Sequence, residues 1–132
     1  MLSANGRYAA FETYSPPDNY PQIFVKNLTT GAVQQVNVTS SGGQSLYLAT
    51  LTSISSDGRT VAFDTSDPTI GGGGMVMRNL DTGVVTSIAP LSEGVEARVT
   101  PGMDYAVWDS PYSNLVSGDT NMSTDTFWRQ IS

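Results

Sequence analysis

Sliding residues 3–31 forward by 52 positions lays Ser3 on Ser55, Gly6 on Gly58, Arg7 on Arg59, Ala10 on Ala62 and Phe11 on Phe63. The same shift superposes Asn27-Leu28 on Asn79-Leu80, Thr30-Gly31 on Thr82-Gly83 and Lys26 on Arg78. A shift of 45 carries Ile54 to Val99, Ala62-Phe63 to Val107-Trp108 and Asp64 to Asp109; past Trp108 it becomes 51, so that Arg78 meets Arg129 and Leu80 meets Ile131. The chain is therefore three related units. A unit of this size cannot cover its own apolar faces, which restricts the fold to architectures in which such units stack on one another.

The middle unit, 50–88, is complete. Four runs rich in β-forming residues, 51–54, 60–65, 75–80 and 84–88, are separated by turn chemistry. Asp57-Gly58 is a strong hairpin signal, because glycine accepts the positive φ of a tight turn, and Gly83 fits a slightly longer hairpin. A four-stranded antiparallel meander follows. The first unit supplies only the last three runs (8–13, 23–28 and 33–38), and the last unit only the first three (96–99, 105–110 and 126–131), its first turn drifting to Pro101-Gly102. The second runs, Tyr8-Ala-Ala-Phe11, Val61-Ala-Phe63 and Tyr105-Ala-Val-Trp108, are continuously apolar, as strands covered on both faces are.

The segments SANGRYAAF, SSDGRTVAF, IFVKNLTTG, MVMRNLDTG and SNLVSGDTNMSTDTFWRQ resemble the TolB-type, WD-repeat-like β-propeller repeats of bacterial proteins. The resemblance covers nearly the whole chain. It implies an all-β fold of propeller-type, four-stranded antiparallel blades, three in succession (about 2–39, 46–89 and 95–132), the first and last incomplete, forming half a propeller in a single domain. Propellers close with about 4 to 8 blades. The expected partner is thus a second copy, closing a six-bladed homodimer, or further blades of a larger chain. The family spans peptidases, carbohydrate-handling proteins and protein-binding modules, and its members are often extracytoplasmic.

Twelve acidic residues against six basic ones leave a net charge of −6, which argues against nucleic acid or an anionic membrane as partner. With no cysteine and no histidine, the chain alone cannot form a disulfide, a thiol nucleophile, a Ser/His/Asp triad or the usual zinc site. No run is apolar enough for a membrane span and the start is not signal-like. The compartment stays open: cytoplasmic as written, or with leader and flanking blades outside this sequence. The run Gly71 to Gly74 has no phosphate-loop context, because no Lys-Ser/Thr or helix follows it.

Three sets of side chains are candidate sites. Glu12, Asp64 and Asp109 each follow the blade aromatic and occupy equivalent positions. They could form a polar rim for hydroxyl-rich ligands, act as paired carboxylates on glycosides, or simply bond to a neighbouring blade. Tyr14, Tyr20 and Tyr112 fall in or beside the loops after the second runs, where sugar rings could stack on them. Asp119, Asn121, Ser123 and Asp125 alternate along one loop as calcium ligands do, but Thr124 stands where such loops carry Gly and Gln130 where they carry Glu, so any calcium affinity is weak; a hydrogen-bonded turn is the other reading. Three sequons, at Asn27, Asn37 and Asn121, are of the kind an Asn- and Thr-rich chain produces by chance. The leading expectation is a non-catalytic module binding protein or carbohydrate through its loops, with no required cofactor. Alternatives are an enzyme fragment acting on glycans through carboxylates and a purely structural self-assembling half-propeller.

Overall fold

The computed structural model describes residues 1–14, 19–90, 96–113 and 115–131, residues 96 and 97 by their backbone alone. These contain ten strands and no helix: β1 (Tyr8–Tyr14), β2 (Pro21–Asn27), β3 (Val33–Gln35), β4 (Ala49–Ile54), β5 (Thr60–Thr65), β6 (Gly74–Asn79), β7 (Val85–Ala89), β8 (Glu96–Val99), β9 (Tyr105–Ser110) and β10 (Asp125–Gln130). They form three open antiparallel sheets: β1-β2-β3, then β4-β5-β6-β7, then β8-β9-β10. No helix among the described residues is long and apolar enough to cross a membrane.

The repeat reappears in the strand register. Tyr8 pairs with Asn27 as Thr60 pairs with Asn79, and Lys26 with Val33 as Arg78 with Val85. It reappears in the turns as well. The Ser3 hydroxyl accepts the Tyr8 N–H at 3.0 Å while Gly6 donates to the Ser3 carbonyl, and Ser55 does the same for Thr60 and Gly58. In the last unit Thr100 receives the N–H groups of Tyr105 and Met103 in the same way. The left-handed position there is Met103 (φ 58°), in register with Gly6 (68°) and Gly58 (77°). The expected drift of this turn to Pro101-Gly102 does not occur. Met103 is 7% exposed within a cluster holding Ala106 and Trp108, so apolar burial holds a backbone conformation that glycine adopts freely.

Strand β3 is shorter than the run 33–38 predicts. Past Gln35 the Val36 N–H still donates to the Ile23 carbonyl at 2.8 Å, and the Asn37 side-chain carbonyl then takes the Ile23 N–H at 2.9 Å in place of a further backbone acceptor. Asn37 belongs to a buried polar junction with Gln22, Ser45 and Asp67. Gln22 accepts from Asn37 and Gln35 and donates to the Ser45 carbonyl, and the Ser45 hydroxyl donates to Asp67 at 2.6 Å. The segment linking the first two sheets is thereby fastened to the chain leaving β5.

Two apolar clusters hold the sheets face to face. Phe63, Val61 and Val76 lie with Ala10, Ile23, Val25 and Val36, so one side of the middle sheet rests on the first. Ala62, Met75 and Ile88 lie with Val99, Ala106 and Trp108, so its other side rests on the third. Val61, Ala62 and Phe63 are consecutive and fully buried, which explains their unbroken apolar pattern. Hydrogen bonds cross the same interfaces: Arg78 donates to the carbonyls of Val36 and Val38, and Arg129 to that of Ile88.

Gly58 packs on Tyr8 across the first interface, and a Cβ there would come within 2.2 Å of the ring; one on Gly6 meets nothing. Gly6→Ala is expected to cost the backbone penalty alone, about 1–2 kcal/mol, and Gly58→Ala clearly more, in urea unfolding. Equal losses would show that the interface yields without cost. A second expectation concerns acid. Burial pushes the Asp67 carboxyl up, but the hydroxyls of Ser45 and Thr69 and the Thr69 N–H pull it further down, leaving it below its ordinary value. A carboxyl depressed in the folded state stabilises above its unfolded pKa of about 3.9, and the contribution fades as the pH falls through the folded value. Asp67→Asn is expected to lose about 1–3 kcal/mol at neutral pH, with the gap to the parent chain narrowing below about pH 4.

Candidate functional site

The turn before β1, the β4–β5 turn and the β8–β9 turn form one rim. Asn5 bonds to the carbonyls of Ser56 and Asp57, and Ser56 to that of Pro101. Alternating strand direction then places the β1–β2, β5–β6 and β9–β10 connections together on the opposite rim, and all three sets of candidate residues lie toward it.

Glu12, Asp64 and Asp109 occupy equivalent register positions, opposite Ile23, Met75 and Thr126. Their surroundings differ. The Glu12 carboxylate accepts the N–H of Leu51 from the neighbouring sheet. β4 is the edge of its sheet and is bulged between Leu51 and Ser53, and the carboxylate caps a donor on that edge. Asp109 accepts the Thr126 hydroxyl at 2.6 Å within its own sheet. Asp64 is half-buried; burial raises its carboxyl above the ordinary range, partly offset by the Thr65 N–H. Among the described residues no hydrogen bond or ion pair joins any two of the three.

Tyr14 ends β1 and is 70% exposed; Tyr20 and Tyr112 are also exposed. Tyr14 and Tyr20 flank residues 15–18, which lie outside the described residues. The structure leaves these rings open to solvent on the shared rim and brings none of them onto the carboxylates.

The four calcium candidates follow one another along the β9–β10 connection. Asn121 accepts the Ser123 N–H at 2.9 Å and donates to Asp125 at 3.3 Å, while the Ser123 hydroxyl donates to the Asn121 carbonyl. Asp119, Asn121 and Asp125 line an open cavity of about 650 Å³, one wall of which is Trp128. Among the described residues no three acidic side chains gather as a metal site. Of the sequons, Asn37 is fully buried and closed to glycosylation.

Sequence reasoning missed Asp67 and the arginine pair. Asp67 reads as one residue of a Ser-Asp-Pro-Thr loop, and nothing local marks it as buried. Arg78 and Arg129 carry a usable signal, a cation repeated at one register position.

No protein-family model matches the chain, and no curated protein matches it. Among solved structures, a prolyl endopeptidase is similar over 95% of this chain and 19% of its own, with a TM-score of 0.59 and 11% identity; it comes from work on two such enzymes and the role of inter-domain dynamics in their catalysis and specificity. That neighbour has a β-propeller domain. The chain spans about a fifth of its length, and at this identity the likeness is one of fold: successive antiparallel sheets in an all-β chain.

Proposed function

We propose that the three sheets are successive blades of a β-propeller of the TolB-type, WD-repeat-like kind, and that the chain is a non-catalytic interaction module binding protein or carbohydrate through the β1–β2, β5–β6 and β9–β10 rim. The likeness to a propeller-containing protein and the face-to-face stacking support the architecture. One observation carries the function. The exposed aromatics Tyr14, Tyr20 and Tyr112 sit on that rim, while two of the three candidate carboxylates are occupied by the scaffold, Glu12 by Leu51 and Asp109 by Thr126. Rigid aromatic faces give contact area at little cost in side-chain entropy, which suits recognition; carboxylates already bonded within the fold suit structure.

A second reading, carboxylate chemistry on glycans with groups supplied by further blades, is favoured by Asp64, a half-buried carboxyl that burial shifts upward. In the third, the chain is structural and its partner is itself.

The melting temperature measured across a panel of neutral oligosaccharides and short peptides separates these. A binder at 100 times its Kd adds about 2.7 kcal/mol. The expected result is a shift that Tyr14→Ala or Tyr112→Ala abolishes while leaving the unliganded melting temperature in place, and that Asp64→Asn leaves intact. Turnover of any panel glycan, lost in Asp64→Asn, would replace this reading with the enzymatic one.

A further inference from the structure

The two outward faces of the stack are not alike. In the middle sheet the Phe63 side packs on the first sheet and the Ala62 side on the third. Each internal interface therefore joins a face of the Phe63 type to a face of the Ala62 type: Phe63 meets the side bearing Ala10, and Trp108 meets the side bearing Ala62. By strand alternation, the outward face of the first sheet is of the Phe63 type and the outward face of the third is of the Ala62 type.

Both carry exposed apolar side chains among the described residues. On the first sheet Phe11 and Phe24 stack with centroids 5.9 Å apart, Phe11 and Val33 are exposed and Phe24 is half-buried, whereas Phe63 and Val76, the sisters of Phe11 and Phe24, are fully buried. On the third sheet Val107 is exposed beside Tyr105 and Trp128, which contact each other at 5.9 Å, whereas Ala62 in the middle sheet is fully buried. Lys26 holds on the first sheet the place from which Arg78 and Arg129 reach a neighbouring sheet. Contiguous aromatic patches of this kind mark interaction surfaces on soluble chains.

We infer that these faces are each other's partners, and that a second copy of the chain covers both, the Tyr105–Val107–Trp128 face of one copy lying on the Phe11–Phe24 face of the other. The pairing continues the interface built twice within the chain. Its two sides differ, so it is head to tail, and such contacts either close into a ring or grow without end. Closure at two copies gives six sheets, within the range of about 4 to 8 that propellers use; this step rests on the propeller reading above.

Light scattering over a wide concentration range tests it, with Phe11→Asp and Trp128→Asp as variants. The expected mass is a plateau at twice the 14.0 kDa of one chain. Each variant alone is expected to be monomeric. Mixed in equal amounts they form a heterodimer, because each retains the face that the other has lost. If Phe11→Asp loses its strand signature in circular dichroism, Val33→Asp, at an exposed position on the same face, replaces it. A monomeric parent chain at every concentration, growth without a plateau, or a Trp128→Asp variant that stays dimeric overturns the inference. A monomer that keeps a ligand shift removes the self-pairing alone, and a dimer without one removes the interaction module alone.

Discussion

None of the three sheets can cover both of its own sides, and everything else in the molecule is arranged around that. Among the described residues the middle sheet has a neighbour on either hand, and Val61, Ala62 and Phe63 of its strand β5 are wholly out of water. Phe63 alone contributes about 1.5–3 kcal/mol relative to exposure, but only because Ala10 and Ile23 from another unit meet it. Stability is thus a property of interfaces more than of units. The small alanines let the sheets come close enough for Arg78 to reach two carbonyls of the preceding unit.

The polar contacts divide the work by position. On one rim the Ser3, Ser55 and Thr100 turns are each closed internally and then tied to one another through Asn5 and Ser56. At the junction of the first two sheets, Gln22, Asn37, Ser45 and Asp67 satisfy each other in full burial. Such groups are costly unless every member is paired, so they fix one arrangement of linker and sheet and penalise others. On the opposite rim Tyr14, Tyr20 and Tyr112 stand exposed.

Much of this was legible in the chain because the repeat carries its own alignment. The glycines at 6 and 58, the paired Asn27 and Asn79 and the apolar second runs located the strands, β3 apart, to within a residue or two. What could not be read depends on contacts between units. Glu12, Asp64 and Asp109 look interchangeable, yet one meets a backbone N–H on the edge of the neighbouring sheet, one is half-buried, and one bonds along its own sheet. Asn37 shortened β3 through a side-chain bond that no propensity anticipates. The turn at Met103 misled because the eye follows Pro-Gly, while the backbone followed the register of its sisters.

Met103 has one more implication. Gly6 and Gly58 keep their turns whatever surrounds them, but Met103 is buried in the cluster that Ala106 and Trp108 of its own sheet share with Ala62, Met75 and Ile88 of the middle one. Separation of the last sheet from the middle one removes that packing and with it the reason for the turn. The last unit should then come apart as one block in hydrogen exchange, its amides opening together and ahead of those in the rest of the chain.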